Sequence, residues 1–124
     1  MTPGEYDMTI FRGKTWSRTF TATVGGSAVD FETDYDGARM QVRPAILNEP
    51  EDTVEDPLIE FTTEDGQIVL DGTSLILTIP AAVSAAMDFR TGVYDLELYS
   101  GTDDAEVVDG LLYGKFEVKG EATV

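Results

Sequence analysis

The chain has 124 residues, with 24 aspartates and glutamates against 8 lysines and arginines, so its formal net charge is −16, and it contains neither histidine nor cysteine. Without imidazoles and thiols, serine–histidine catalysis, cysteine–histidine catalysis, disulfides and zinc-finger sites are excluded. The acidic balance also argues against nucleic acid and anionic membranes as partners, because both attract clustered lysine and arginine.

The length fits a single domain over residues 1–124, because domains most often contain about 100–150 residues. No apolar run approaches the roughly 18–20 residues that a membrane-spanning helix needs. The first residues also lack the positively charged segment, followed by an apolar segment, that is typical of a secretory signal. We therefore expect one domain that is made in the cytoplasm and has no membrane partner.

The first strongly patterned segment predicts a half-buried β-strand. One face carries Trp16, Arg18, Phe20, Ala22 and Val24, and serine and threonine alternate with them on the other. Trp16 continues the aromatic face of Phe20, so periodicity favours a core position for Trp16 over an exposed binding role. The glycine pair at 25–26 then predicts a hairpin turn into a strand at Val29 and Phe31.

The next strand runs up to Pro44, which cannot donate to a strand ladder. Its predicted inward residues are Ala38, Met40 and Val42, and its outward residues are Arg39, Gln41 and Arg43. The acidic stretch at 48–57 that follows contains two prolines and predicts an exposed loop. Further strands are expected at residues 59–61, 68–70 and 75–79.

Residues 80–89 interrupt the alternation, and Pro80 followed by alanines predicts one short helix there. Two final strands then place apolar side chains inward, namely Tyr94, Leu96, Leu98, Leu112, Phe116 and Val118. The predicted fold is all-β: an immunoglobulin-like antiparallel β-sandwich of about seven to nine short strands, with one short helix near residues 80–89.

Four carboxylates recur at alternate positions before a glycine, and they are Asp30, Glu32, Asp34 and Asp36. The last three would take the first, third and fifth ligand positions of a calcium loop, with Gly37 at the sixth. The twelfth position is Arg43, where a bidentate glutamate is required. A solvated acidic edge is therefore the favoured interpretation, and no cofactor is expected.

Outward side chains near the C-terminal strands are candidate partner contacts. By alternation, Tyr99 and Tyr113 face away from the core, where they would form an apolar patch with Ile76 and Leu111. Two arginines beside the acidic turn add charged contacts. The predicted partner-binding residues are Tyr99, Tyr113, Leu111, Arg39 and Arg43.

Four segments taken in order resemble one family. Residues 13–16 read GKTW, residues 30–44 read DFETDYDGARMQVRP, residues 92–98 read GVYDLEL and residues 114–118 read GKFEV. In this order they resemble the small immunoglobulin-like virion proteins of tailed bacteriophages. The resemblance covers residues 6–118 and implies an immunoglobulin-like fold and a place in the virion.

The resemblance implies a non-enzymatic structural protein that docks on another virion protein, in multiple copies on a symmetric particle. A tail, baseplate or fibre-adaptor role and a head-decoration role are both compatible with it. The alternative is a carbohydrate- or host-surface-binding module that uses exposed tyrosines and the acidic edge at 30–36, with calcium as an optional ligand. A pair of glycan-cleaving carboxylates is the weakest alternative, because nothing singles out one pair among 24 acidic residues.

Overall fold

The computed structural model describes residues 3–44, 57–101 and 106–120. Its strands are β1 (Gly4–Glu5), β2 (Met8–Phe11), β3 (Trp16–Phe20), β4 (Thr23–Val24), β5 (Ser27–Ala28), β6 (Gly37–Arg43), β7 (Ile59–Thr62), β8 (Ile68–Asp71), β9 (Ser74–Ile79), β10 (Thr91–Ser100) and β11 (Val107–Lys119). Its helices are α1 (Phe31–Asp34) and α2 (Ala81–Ala85). The acidic loop predicted at 48–57 lies outside the described residues except for Pro57.

The strands form two main sheets and one small hairpin. The six-stranded sheet has the order β1-β11-β10-β6-β7, with β2 pairing further along β11. The three-stranded sheet has the order β3-β9-β8, and β4 pairs with β5. Variable-type immunoglobulin domains combine strands B, E and D in one sheet with G, F, C and C′ in the other, and the two sheets here follow that order. The fold is therefore the all-β immunoglobulin-like sandwich that the sequence predicts, with a second short helix and more short strands than expected.

The N-terminal strands depart from the antiparallel prediction, because β1 and β2 both run parallel to β11. Between them the Tyr6 amide donates to the Tyr113 carbonyl, and the Lys115 amide donates to the Asp7 carboxylate, each at 2.9 Å. Gly114 lies at this crossing, where a Cβ would come within 2.9 Å of Asp7 Oδ1. The missing side chain therefore allows the N-terminal segment to approach β11 closely.

One apolar core lies between the two sheets. The predicted inward residues of β6 and β10 are confirmed, and these are Ala38, Met40, Val42, Tyr94, Leu96 and Leu98. Trp16 is also a core residue, since it is only 8% exposed. The inward face predicted from 16 to 24 holds for Phe20 and Ala22, which pack against the core. It is wrong at Val24, because β3 ends at Phe20 and Val24 lies in the β4–β5 hairpin with 53% exposure. Arg18 is exposed as well, and its guanidinium carbon lies 5.1 Å from the centre of the Trp16 ring.

The two helices occupy links between strands. Helix α2 confirms the helix predicted after Pro80, although it is only five residues long. Helix α1 replaces the strand predicted at Phe31, because the Asp30 side chain accepts a hydrogen bond from the Thr33 amide at 3.1 Å and so caps a helical turn. Within the described ranges, neither helix is long and apolar enough to cross a membrane.

Candidate partner-binding face

The outer face of the six-stranded sheet, which points away from the core, carries the candidate site. Pairing across five strands aligns one residue from each into a line that we call the central row. The central row consists of Glu60 on β7, Gln41 on β6, Asp95 on β10, Tyr113 on β11 and Glu5 on β1. Directly paired side chains on one face of a sheet have Cβ atoms about 4.5–5.5 Å apart, so neighbours in this row are within contact range.

An open groove of about 690 Å³ follows the central row on the outer face. Four members of the row line it, and the charged residues Asp7, Arg43 and Lys115 line it as well; the four members are Glu5, Gln41, Asp95 and Tyr113. The volume falls within the range of about 300–1,000 Å³ that is usual for ligand pockets. The outer face therefore offers a concave surface with an aromatic ring and several charges.

Asp95 is an exposed residue of the groove whose carboxyl group nevertheless has a raised pKa. The pKa of its carboxyl group is raised above the ordinary 3.8, first because neighbouring atoms displace part of its hydration and second because Glu97 repels it. The positive charge of Arg43, a backbone hydrogen bond and the positive charge of Arg39 oppose this rise but do not cancel it. Within the described ranges, no lysine or arginine nitrogen lies within ion-pair distance of Asp95.

Tyr113 is paired with both Asp95 and Glu5, so its position in the central row is between two acidic residues. It is 45% exposed, in agreement with the outward orientation that the alternation predicts. A partly exposed tyrosine in a groove supplies a large apolar ring with a polar tip, which is a common anchor for a binding partner. Its role as a partner contact stays a prediction.

Arg39 and Tyr99 also lie on the outer face, but they contact each other and neighbouring carboxylates. Arg39 donates to Glu106 at 3.0 Å and to Glu97 at 3.3 Å, and its guanidinium carbon lies 5.0 Å from the centre of the Tyr99 ring. The Glu106 hydrogen bond is the main reason that the pKa of Arg39 is raised. These two predicted contacts are therefore largely engaged within the domain itself.

Arg43 belongs to a chain of side-chain hydrogen bonds beside the groove. Its guanidinium donates to Gln41 Oε1 at 2.6 Å, and the Gln41 amide donates to Glu60 at 2.5 Å. Two members of the central row are thus held in place by hydrogen bonds. The end of the central row that is more accessible to a partner is therefore formed by Asp95, Tyr113 and Glu5.

The predicted outward position of Leu111 is wrong, because Leu111 is 5% exposed and belongs to the core. The reason is a β-bulge in β11: Leu96 pairs with Leu112, whereas the next residue, Glu97, pairs with Gly110. Leu111 is the extra residue, and a bulge reverses the alternation on one side of itself. The predicted apolar patch also fails because Ile76 lies on β9, in the other sheet.

The acidic residues predicted as a low-probability calcium site have separate contacts. Asp30 caps α1, Glu32 accepts from the Gly72 amide at 3.3 Å, and Asp36 accepts from the Gly101 amide at 2.8 Å. Asp34 is exposed in the last turn of α1. Across residues 3–44, 57–101 and 106–120, no three acidic side chains are grouped so as to hold a metal ion.

The sequence interpretation missed Asp95, Glu5 and Gln41 as members of a common surface. A weak signal existed, because Asp95 is a charged residue in the middle of a strand whose alternate residues are apolar. Gln41 and Asp95 are aligned by the pairing of β6 with β10, and Glu5 joins them only through the parallel pairing of β1 with β11, which joins residues more than 100 positions apart. Local periodicity contains no information about such pairing.

Comparison with protein-family models and with curated proteins gave no match. Among solved structures, the chain is similar to the extracellular domain of the voltage-gated sodium channel beta4 subunit. The sequence identity is 11%, the similarity covers 98% of this chain and 96% of that chain, and the TM-score is 0.37. The immunoglobulin-like assignment therefore rests on the strand order described above.

Proposed function

We propose that this protein is a non-enzymatic structural component of a tailed-phage virion, which docks on another virion protein through the outer face of its six-stranded sheet. The observation that carries this proposal is the central row, where an open groove combines an exposed tyrosine with charged side chains. Such a surface suits recognition of a protein partner, because aromatic anchors in partly desolvated positions contribute most to binding.

The segments that resemble phage virion proteins support the proposal by their positions. Residues 92–98 lie within β10 and residues 114–118 within β11, the two strands that contribute Asp95 and Tyr113 to the central row. Residues 30–44 include β6, which contributes Gln41. The resemblance and the candidate face thus involve the same part of the sandwich.

The charge supports an assembly role. A net charge of −16 on 124 residues makes free copies repel one another and favours a soluble, separate protein before assembly. On a symmetric particle, several copies bound to repeated partners would compensate for a weak individual contact. In this proposal the protein is made in the host cytoplasm and ends in the virion, at the head, the tail or the baseplate.

A direct test uses particles of the phage that encodes the chain. Mass spectrometry of purified virions should detect the protein at a fixed copy number, and the purified full-length protein should co-sediment with particles that lack it. Absence from purified virions, together with no co-sedimentation, would overturn the proposal. A mixture with unrelated phage particles at the same salt concentration is the control for charge-driven adsorption.

A second candidate function is a carbohydrate- or host-surface-binding module. The observation that favours it is the same groove, because Asp95, Gln41 and Tyr113 combine hydrogen-bonding groups with an aromatic ring. If calcium assists such binding, calcium should raise the melting temperature more than magnesium does at equal ionic strength. Equal effects of the two ions on the melting temperature would exclude calcium-assisted binding.

A further inference from the structure

The domain already contains one complete binding arrangement for a guanidinium group. The Arg39 guanidinium bonds to two carboxylates, Glu97 at 3.3 Å and Glu106 at 3.0 Å, and lies over the Tyr99 ring at 5.0 Å. Its planar group thus uses both charge-assisted hydrogen bonds and stacking on an aromatic face. Two carboxylates and one tyrosine on the outer face of this sheet are therefore a sufficient set of ligands for an arginine.

The same set of groups recurs in the central row, in a groove that Arg43 and Lys115 also line. Tyr113 is paired with Asp95 on one side and with Glu5 on the other, so two carboxylates flank one exposed ring. Within the described ranges, neither carboxylate has a lysine or arginine nitrogen at ion-pair distance. This contrasts with Glu97 and Glu106, both of which pair with Arg39.

We infer that Asp95, Tyr113 and Glu5 form a receptor for an arginine side chain of the docking partner. This inference rests on the proposed function, and it specifies the chemistry of the partner: a basic segment that inserts one arginine into the groove. The groove of about 690 Å³ has room for such a side chain on the solvent side of the row.

Charge complementarity favours an arginine side chain of the partner as the group that binds in the groove. With 24 acidic and 8 basic residues, the chain attracts cationic surfaces and repels a second copy of itself. Asp95 is partly desolvated beside Glu97, so an incoming cation relieves an unfavourable charge rather than competing with an existing pair. A lysine would supply the charge, but it lacks the planar group that donates to two carboxylates while stacking on a ring.

The experiment is a titration of the full-length protein with argininamide, followed by NMR signals of the Asp95 carboxyl and the Tyr113 ring. We expect saturable shifts of both signals, smaller shifts with lysinamide at the same concentration, and at least about tenfold weaker binding in Asp95→Asn and Tyr113→Leu. The control variant Asp71→Asn changes an exposed carboxylate at the end of β8, in the other sheet, and should bind argininamide like wild type.

Both groove variants alter exposed side chains, and matching amide spectra would establish that they fold. Shifts that are equal for argininamide and lysinamide, or that persist unchanged in Asp95→Asn, would overturn the inference. The inference would also be overturned if maltohexaose shifted these two signals and argininamide did not. That result would indicate that the groove binds sugars instead.

Particle co-sedimentation of the same variants distinguishes this inference from the proposed function. Co-sedimentation of wild type that is lost in Asp95→Asn but kept in Asp71→Asn supports both. Co-sedimentation that is equal in wild type and Asp95→Asn contradicts the arginine receptor and leaves the docking function intact. Specific argininamide binding without any association with particles supports the receptor and contradicts the virion function.

Discussion

Asp95 on β10 and Tyr113 on β11 are directly paired across the two strands, and both side chains lie on the outer face of the six-stranded sheet. Asp95 is the carboxylate with a raised pKa, and Tyr113 is the exposed aromatic residue beside it. A raised carboxyl pKa means that the ionised form of Asp95 is disfavoured in the folded domain, and none of the described residues forms an ion pair with Asp95 that would offset this. Such a cost is typical of residues that serve binding rather than folding.

The first prediction concerns the stability of Asp95→Asn at two pH values. Because the folded-state pKa of Asp95 lies above the ordinary 3.8, the native state disfavours the ionised form, and this cost is present at neutral pH. It falls as the pH drops through the raised pKa, and it is absent below 3.8. Thermal unfolding should therefore show a higher melting temperature for Asp95→Asn than for wild type at pH 7, and no gain at pH 3. A lower melting temperature of the variant at pH 7 would contradict this.

The second prediction concerns Ser84, a fully buried polar residue in α2. Its hydroxyl donates to the Lys14 carbonyl at 2.8 Å and accepts from the Gly13 amide at 3.0 Å, so it connects α2 to the β2–β3 turn. Ser84→Ala should lower the free energy of unfolding by about 1–3 kcal/mol, because it leaves those backbone groups without their partner.

Chemical denaturation measures the effect of Ser84→Ala, and Ser17→Ala is its matched control. The Ser17 hydroxyl is exposed and contacts Thr78 Oγ1 at 3.2 Å. The control should change the free energy of unfolding by less than about 0.5 kcal/mol, as exposed substitutions usually do. Equal losses in the two variants would mean that the buried hydroxyl has no special role.

The third prediction concerns Gly114, which lies where the N-terminal segment crosses β11. A Cβ at this position would lie 2.9 Å from both the Tyr6 carbonyl carbon and Asp7 Oδ1. Gly114→Ala should therefore displace the β1–β2 link and cost about 1–3 kcal/mol, as overpacking typically does. The control Gly120→Ala adds a methyl group with no non-neighbouring atom of the described residues within 4 Å, and it should have little effect in the same denaturation experiment.

The fourth prediction distinguishes the arrangement around Tyr99, which contains Arg39, from the proposed arginine receptor around Tyr113. Arg39→Lys keeps the positive charge but loses the guanidinium that donates to Glu97 and Glu106 and lies over Tyr99. Because these groups are partly exposed, the loss of unfolding free energy should be about 0.2–1 kcal/mol. Titration should give an argininamide affinity within about twofold of wild type. A tenfold change would mean that argininamide binds at Tyr99 rather than at Tyr113.

The sandwich could be predicted because local alternation determines which face of each strand is buried. Met40 and Val42 on β6, like Leu96 and Leu98 on β10, point inward as the period-two pattern indicates. The same pattern predicts the core position of Trp16, which the structure confirms. The helix after Pro80 could be predicted because proline and alanine have strong positional preferences at helix starts.

The sequence-based predictions fail where a single residue or a pairing between distant parts of the chain determines the structure. Leu111 is buried because one extra residue in β11 reverses the alternation, and a bulge of this kind leaves no periodic signal. Phe31 is helical because the Asp30 side chain caps a short turn, so a local hydrogen bond overrides the strand pattern. Glu5 joins the central row only through parallel pairing with a strand at the other end of the chain.

The most direct test of the proposed docking function is a density map of the virion in which we propose that this chain resides. We expect the outer face of the six-stranded sheet to be covered by a neighbouring virion protein, with a basic side chain of that neighbour between Asp95 and Tyr113. A placed chain whose outer face is open to solvent, and whose contacts run instead through the β3-β9-β8 sheet, would contradict it.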